Sequence, residues 1–199
     1  KPLSKSAASF EKTIEGLGGD PKNPFKVFPD VKEFYKKVIA EKKKKAKARR
    51  DKHTAWSKKN WEQSDKLDLF LSGELPEIDW KAVEHKANTA TRNSSAAVMS
   101  YLAGKVENLV ISSADLCNSD KTEAYLKKTT EFQRGDFSGH FLQAGVAELT
   151  RAAVMTGMSL HGGVIPACAT FFTFSDYMKP ASRVASLMEQ QVIFIWTHD

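Results

Sequence analysis

The sequence predicts an α/β fold in which helices cover both faces of a parallel sheet, after a long helical segment. From residue 91 onward, short apolar runs alternate with stretches of helical periodicity. Residues 1–28 are expected to be irregular, and residues 29–87 have helical character and little strand pattern. Strands that alternate with helices are typical of parallel sheets, because each crossover helix packs on a face of the sheet.

The first part of the chain predicts one long helix with a basic centre. Pro29 and Asp30 open it, and Asp30 is the predicted N-cap. An apolar stripe at helical spacing follows, made of Val31, Phe34, Tyr35, Val38 and Ile39. The stripe fades into the lysine-rich segment 42–50, which has no apolar face and is expected to lie in solvent. Shorter helices are expected at 67–71 and 80–86.

The rest of the chain predicts the sheet. Strands are expected at 108–112, 141–144, 164–169 and 191–196, the last of them buried. Helices are expected from Thr91 to near Gly104, over 147–161 and over 175–189. The final helix is predicted to turn a set of four residues toward the sheet: Tyr177, Val184, Leu187 and Met188.

Charge and composition limit the classes of protein to which this chain can belong. Residues 1–66 carry 19 Lys and Arg against 9 Asp and Glu, whereas the rest carry 11 against 15. This asymmetry is compatible with a nucleic-acid-binding arm or with a solvated helix. No run of 18 apolar residues is present, which argues against a membrane span. Cys117 and Cys168 lack the spacing of metal ligands, so we expect two reduced thiols in a cytoplasmic protein.

Several residues at the ends of elements could carry chemistry. Asp115 follows the first strand, where it could contact a ligand or cap the next segment. Glu148 lies in the first turn of a helix, where the helix dipole alone explains an acid, although it could also move a proton. Phe171, Phe174 and Tyr177 follow a strand at spacings of three, a pattern of core residues that could also stack on a flat heterocycle.

Six short motifs together resemble the transketolase family. They are TRNSS at 91–95, SADLCNS at 113–119, GVAEL at 145–149, LHGGVIP at 160–166, TFFTFSDY at 170–177 and THD at 197–199. The segments KPLSKS and GGDPKNPF, near the start, look like the end of that family's diphosphate-binding domain. The resemblance therefore implies three parts: that domain's end at 1–28, a helical interdomain linker at 29–87, and a truncated pyrimidine-binding domain at 88–199.

This resemblance implies an enzyme that moves two-carbon ketol units between phosphorylated sugars with thiamin diphosphate. Glu148 takes the place of the acid that contacts N1′ of the cofactor's aminopyrimidine ring. Phe174 matches the ring that packs on the aminopyrimidine, with Phe171 and Tyr177 lining the same pocket, and Asp115 matches an aspartate near the cofactor.

The resemblance also implies a substrate site and partners. Arg92 and Ser119 match a pair that holds the phosphate of the sugar, and His198 matches a histidine at the same end of the substrate. Mg²⁺ or Ca²⁺ would be bound by the diphosphate-binding domain, and the full-length enzyme would be a homodimer. No metal ligand is expected in this chain, and the fragment alone is expected to be inactive.

The sequence departs from the family pattern at one position, and two alternative functions remain open. The family pattern has Arg before the catalytic acid, whereas this chain has Ala147. Another thiamin-diphosphate ketol transferase or synthase is the alternative among enzymes. A non-catalytic basic helical protein that binds nucleic acid or another partner is the alternative from a different class. Because no aromatic residues alternate with the lysines of 42–50, we expect only non-specific, salt-dependent binding to nucleic acid.

Overall fold

The computed structural model describes residues 9–198 of a chain that divides into two units, residues 1–61 and 62–199. The described part of the first unit contains helices α1 (Phe10–Gly16) and α2 (Pro29–Lys59). Helix α1 lies in the segment expected to be irregular, so that expectation is wrong there; Ser9 caps the helix by accepting a hydrogen bond from the Lys12 N–H. Phe28 is the N-cap of α2 and Pro29 is its first residue. Proline suits this position, because its missing N–H would have no partner in the first turn. The long helix is confirmed, but the prediction that Asp30 is its N-cap is wrong.

Helix α2 buries none of its residues in this chain. Every residue of the basic segment 42–50 is exposed, as predicted from its lack of an apolar face. The apolar stripe is exposed as well, since 61% of Phe34 and 56% of Tyr35 is accessible to solvent. The segment therefore forms a helix by backbone propensity, not by packing of a buried face.

A third helix, α3 (Trp61–Ser72), precedes a long extended connection. The helix predicted at 80–86 is wrong, because only a single 3₁₀ turn forms, over Trp80–Ala82. Asp79 begins this turn by accepting a hydrogen bond from the backbone N–H of Lys81 at 3.1 Å. Val83 then returns to an extended conformation and is buried.

Four parallel strands form one sheet in the order β2-β1-β3-β4. The strands are β1 (Leu109–Ser113), β2 (Phe141–Gln143), β3 (Ile165–Phe171) and β4 (Ile193–Thr197). The connecting helices are α4 (Thr91–Leu102), α5 (Glu123–Leu126), α6 (Glu148–His161) and α7 (Ser175–Leu187). This architecture confirms the α/β class, the parallel pairing of all the predicted strands, and every predicted helix after residue 88.

Helices cover both faces of the sheet. On one face, Met99 of α4 and Tyr125 of α5 pack with Leu109 and Ile111 of β1 and with Phe141. The Tyr125 hydroxyl donates a hydrogen bond to the Leu109 carbonyl at 2.5 Å, and thereby ties α5 to β1.

The opposite face carries a second cluster. Ala152 and Met155 of α6 pack there against Cys168 of β3 and against Met178 of α7. Burial of a large apolar side chain such as Met155 or Met178 stabilises the fold by about 1.5–3 kcal/mol. Successive residues of β3, such as Ala167 and Cys168, belong to different clusters because side chains alternate along a strand.

Two burial predictions are wrong. In α7, Met178, Ala181 and Ala185 are buried, whereas all four predicted residues are at least 44% exposed, namely Tyr177, Val184, Leu187 and Met188. The small side chains of Ala181 and Ala185 are on the buried side of α7, which packs against α6, and the larger side chains lie on its outer side. Strand β4 is also not buried, because among the described residues it is the last strand of the sheet and pairs only with β3.

Gly139 controls how the chain enters β2. A Cβ atom at this position would lie 2.2 Å from the carbonyl carbon and oxygen of Glu131, closer than real Cβ contacts allow. The two segments are held together by the His140 N–H, which donates to the Thr130 carbonyl at 2.8 Å. Only glycine fits this close approach without a shift of the backbone, so Gly139 favours the observed entry into β2.

We therefore expect Gly139→Ala to destabilise the protein by about 1–3 kcal/mol, because backbone must move to admit the methyl group. Urea unfolding followed by circular dichroism measures this change. Gly157→Ala is the matched control, since a Cβ there has no atom within 4 Å and alanine favours the interior of α6. Equal stability of Gly139→Ala and the unmodified chain would show that the close approach is dispensable.

Candidate functional site

The carboxyl ends of the strands meet at one edge of the sheet. Ser113 of β1 pairs with Ala169 of β3, and Phe171 of β3 pairs with Thr197 of β4. Ligands of parallel α/β folds bind beyond this edge, where loops and helix N-termini converge. The predicted site residues lie on segments at or next to this edge, namely the first turn of α4, the loop after β1, the first turn of α6, the end of β3 with the 3₁₀ turn and the first turn of α7 that follow it, and the end of β4.

Arg92, Ser119 and His198 come together although they are far apart in the sequence. The Nη1 atom of Arg92 donates to the Ser119 carbonyl at 3.1 Å. The same atom lies 2.8 Å from Nε2 and 3.2 Å from Nδ1 of His198. Arg92 is partly buried. It is the second residue of α4, so the first turn of this helix holds its backbone. The contact to Ser119 uses its backbone, whereas the Ser119 hydroxyl donates to Asn118 at 3.3 Å.

The predicted aromatic residues form a continuous row of rings. Phe171 and Phe174 stack with centroids 5.7 Å apart and an angle of 13° between planes. Tyr177 extends the row, 6.1 Å from Phe174. The ring of His198 lies 4.5 Å from Phe171 and so joins the row to Arg92. The row therefore starts at the group formed by Arg92, Ser119 and His198, here called the basic cluster. Tyr177 at the far end of the row is 63% exposed.

Glu148 is a buried acid at the start of α6. It is 6% exposed and is the first residue of the helix, after the N-cap Ala147. The partial positive charge of a helix N-terminus favours a carboxylate there. The Thr170 hydroxyl donates a hydrogen bond to Oε1 of Glu148 at 3.3 Å, which links the acid to the end of β3. Thr170 directly precedes Phe171, so the acid and the ring row both adjoin the end of the same strand.

Asp115 lies in the loop after β1, but the hydrogen bonds that hold this loop are accepted by Asp120. Asp115 is exposed and has a φ of 62°, an unusual conformation for a residue with a side chain. Asp120 is completely buried, and its carboxylate accepts hydrogen bonds from the Ser113 hydroxyl at 2.6 Å and the Thr122 hydroxyl at 2.7 Å. Sequence reasoning missed Asp120; its one signal is an Asp two residues before Thr122, a spacing typical of Asx turns.

Arg151 was also missed, because nothing in the sequence distinguishes it from a surface arginine. It lies one helical turn after Glu148 in α6, and only 1% of its surface is exposed. Burial lowers the pKa of its guanidinium, and the nearby Cys168, Glu148 and Asp120 act in the opposite direction. Burial likewise raises the pKa of the Cys168 thiol to about 11, against an opposing effect of Arg151. At neutral pH Cys168 is therefore protonated, and Arg151 keeps its charge.

Residues 9–198 contain neither a candidate metal site nor a candidate membrane span. Within this part of the chain there is no group of three or more His, Cys, Asp or Glu placed to hold a metal ion. No helix in the same part is long and apolar enough to cross a membrane. Cys117 and Cys168 are both free thiols.

The fold is that of a parallel α/β domain with its polar and aromatic residues at the carboxyl edge of the sheet. The family model described as transketolase, pyrimidine binding domain, matches residues 87–199, and this chain belongs to that family.

Curated relatives extend the similarity to nearly the whole chain. A transketolase of Halalkalibacterium halodurans is 38% identical over 181 residues, which cover 89% of this chain and 27% of the relative. The chloroplastic transketolase-1 of Arabidopsis thaliana is 36% identical, with 97% of this chain and 27% of the relative covered. The chain therefore spans about a quarter of the length of these relatives.

Solved structures show the same fold. A transketolase from Leishmania mexicana superposes with a TM-score of 0.79 at 26% identity, covering 94% of this chain and 28% of that protein. A transketolase of Pichia stipitis in complex with sedoheptulose-7-phosphate also gives a TM-score of 0.79, at 30% identity, covering 95% of this chain and 29% of that protein.

The raised pKa of Cys168 predicts a loss of stability at alkaline pH. The pKa rises from an ordinary 9.0 to about 11 in the folded chain, so the folded state keeps a proton that the unfolded state loses. This contribution to stability is complete below pH 9 and is lost as the pH rises toward 11, by about 2–3 kcal/mol. The measurement is urea unfolding of the native chain and Cys168→Ala at several pH values.

The stability difference between these two proteins should shrink by that amount as the pH rises. Cys117→Ala is the matched control, because Cys117 is only partly buried. We expect a smaller change for that thiol. A constant difference between the native chain and Cys168→Ala from pH 8.5 to 11 contradicts the prediction.

Proposed function

We propose that the whole protein to which this chain belongs is a transketolase. It transfers a two-carbon ketol unit between phosphorylated sugars with the help of thiamin diphosphate. The observation that carries this proposal is the contact of Arg92 with both Ser119 and His198 at the ligand edge of a transketolase-family domain. A guanidinium suits a phosphate, which it can bind through two parallel hydrogen bonds.

The residues beside this cluster fit the aminopyrimidine part of the cofactor. That ring is flat and carries a weakly basic nitrogen, so it needs a stacking surface and an acid. Phe171 and Phe174 supply parallel rings, and Glu148 supplies a carboxyl group that is buried but held by Thr170. Tyr177 extends the aromatic surface, and Asp115 lies in the loop after β1. When bound, the cofactor supplies an acidic carbon at C2 of its thiazolium ring.

Glu148 is proposed as the catalytic residue of this chain. Its role would be to hold a proton at N1′ of the pyrimidine ring when the cofactor is bound. Burial at the N-terminus of α6 suits this role, because water is kept away from the carboxyl group and the helix fixes the position of the acid. Thr170 orients the carboxyl group through its hydroxyl.

Arg92, Ser119 and His198 are proposed to hold the phosphate end of the sugar. His198 is exposed and contacts both Arg92 and Phe171, so it lies between the basic cluster and the aromatic row. This placement would put the phosphate at one end of the site and the cofactor ring along the row. The sugar between them would then lie beyond the ends of β3 and β4.

Other properties of the whole protein are proposed from the family. We assign residues 88–199 to the pyrimidine-binding domain, 29–87 to the linker and 1–28 to the end of the diphosphate-binding domain. Mg²⁺ or Ca²⁺ would be held by that domain together with the diphosphate. The assembly would be a cytoplasmic homodimer of the pentose phosphate pathway. The relatives named above include a bacterial transketolase and a chloroplastic one.

Replacing Glu148 with Gln tests the catalytic proposal in the whole protein. Gln fills the same volume but cannot share an acidic proton, so deprotonation at C2 should slow by about 10²–10⁴-fold while most cofactor affinity remains. The measurement is hydrogen–deuterium exchange at C2 of the bound cofactor. Glu123→Gln is the matched control, an acid in the first turn of α5 outside the site. If Glu148→Gln exchanges C2 at the native rate, Glu148 is only a helix-capping acid.

Replacing Phe174 with Ala tests the stacking surface. We expect cofactor binding to weaken by about 1–3 kcal/mol, because packing against the ring is lost. Phe172→Ala is the matched control, since Phe172 is in the same 3₁₀ turn but packs against Trp196 instead of Phe171. Calorimetric titration with thiamin diphosphate measures both. Equal affinities of the two variants would remove Phe174 from the proposed site.

A further inference from the structure

A cavity of about 460 Å³ lies at the amino-terminal edge of the sheet, opposite the edge that carries Arg92 and Glu148. Its walls come from the segment between α4 and β1 and from the segment between α5 and β2. The volume is within the range of about 300–1,000 Å³ that is typical of sites for small molecules. Most of the polar lining consists of lysines, hydroxyl groups and a histidine, namely Lys105, Lys128, Thr129, Thr130, Ser138 and His140. Side chains of these types donate hydrogen bonds, which points to a ligand rich in acceptors.

The two lysines of this cavity have no acidic partner among the described residues. Lys127 pairs with Glu123 at 3.1 Å, whereas its neighbour Lys128 forms no ion pair within residues 9–198, and neither does Lys105. The Nζ atom of Lys105 lies 5.9 Å from the centre of the Tyr101 ring, a cation–π contact that orients its ammonium group. Both ammonium groups are therefore available to a ligand.

The acidic groups near the cavity already have partners. Glu107 lines the cavity, and its Oε1 atom is 2.5 Å from Nζ of Lys66 on α3. The carboxylate of Asp136 accepts hydrogen bonds from the N–H of Ser138 at 3.0 Å and from its hydroxyl at 2.7 Å. Because Lys66 balances Glu107, the two lysines of the lining leave the cavity with a net positive charge. A positive cavity favours an anion.

Hydrogen bonds hold the backbone of the cavity wall in place. The Thr130 carbonyl accepts from the N–H groups of His140 at 2.8 Å and Phe141 at 3.1 Å. The Thr129 hydroxyl donates to the Tyr125 carbonyl at 3.1 Å, which ties the same wall to α5. Within residues 9–198 neither the imidazole ring of His140 nor the Thr130 hydroxyl is used in a hydrogen bond, so both can serve a ligand. The wall thus presents donors from a fixed backbone.

We propose that this cavity binds a small phosphorylated organic molecule, whose phosphate group is held by Lys105 and Lys128. His140 and Thr130 then donate hydrogen bonds to the phosphate oxygens. Lysine suits this task as a point charge, because a phosphate ester offers a charge of about −1.5 to −2 and three acceptor oxygens. A phosphate group fills only part of the cavity, so an organic group fits in the rest. The site does not depend on the function proposed for the carboxyl edge of the sheet.

Calorimetric titration of the whole protein with glycerol 3-phosphate tests this site. Every protein in the test carries Arg92→Ala, so that the phosphate group proposed to bind at the other edge does not contribute. In this background Lys105→Gln and Lys128→Gln should each weaken binding by about tenfold, because each removes a charge-assisted hydrogen bond. Lys127→Gln is the matched control, since this lysine is next in sequence but is paired with Glu123. It should change the affinity by less than about twofold.

Two further titrations make the test more specific. Glu107→Gln removes the carboxylate from the lining and should tighten binding of glycerol 3-phosphate, by about threefold. Inorganic phosphate should bind more weakly than glycerol 3-phosphate, because it lacks the organic group.

The proposal is overturned if the Arg92→Ala protein does not bind glycerol 3-phosphate, since all binding then belongs to the other edge of the sheet. It is also overturned if Lys105→Gln and Lys128→Gln each change the affinity by no more than Lys127→Gln does. Weaker binding by Glu107→Gln, or equal affinity for inorganic phosphate, has the same consequence. None of these results depends on C2 exchange in Glu148→Gln, so the two proposals fail independently.

Discussion

Parallel pairing of β1 with β3 determines where the candidate residues can lie. The five paired positions from Leu109–Ile165 to Ser113–Ala169 align the ends of the two strands, and the pairing of β3 with β4 extends this alignment to Thr197. A shift of one residue would move the alternating side chains to opposite faces. Ser113 would then lose its hydrogen bond to Asp120, and Thr170 would turn away from α6. The register of the sheet is thus a condition for both the loop after β1 and the buried acid.

The parts of this structure that the sequence predicts are those governed by local periodicity. Alternation of apolar runs with helical patterns was sufficient for the parallel sheet and its crossover helices. The aromatic row was also predictable, because Phe171, Phe174 and Tyr177 are close in sequence and follow a strand. In contrast, Arg92 and His198 are 106 residues apart, and each one alone resembles a surface residue. Only the resemblance to transketolase placed them in one site.

The failures of sequence reasoning have physical causes that act beyond a single segment. Apolar periodicity identified the wrong side of α7, because the small side chains of Ala181 and Ala185 are buried while Tyr177 and Leu187 face outward. Strand β4 has the composition of a buried strand but is paired on one side only within residues 9–198. Burial of Arg151 depends on how α6 packs on β3, and the pattern of apolar and polar residues within α6 does not predict it.

The alternation of side chains along β3 sets a limit on any ligand of this site. Thr170 is on the same side of the strand as Cys168, facing α6, and binds the buried acid Glu148. Phe171 is on the opposite side, and its ring contacts the rings of His198 and Phe174. A molecule that contacts both the acid and the rings must therefore pass across the end of β3 and cannot bind on either face alone. A flat ring at the end of a longer molecule meets this requirement, because its edge can reach the acid while its face rests on the aromatic row. The carboxyl edge of the sheet is the place where the backbone leaves room for such a molecule, which is why the acid, the rings and the basic cluster can serve a single ligand site.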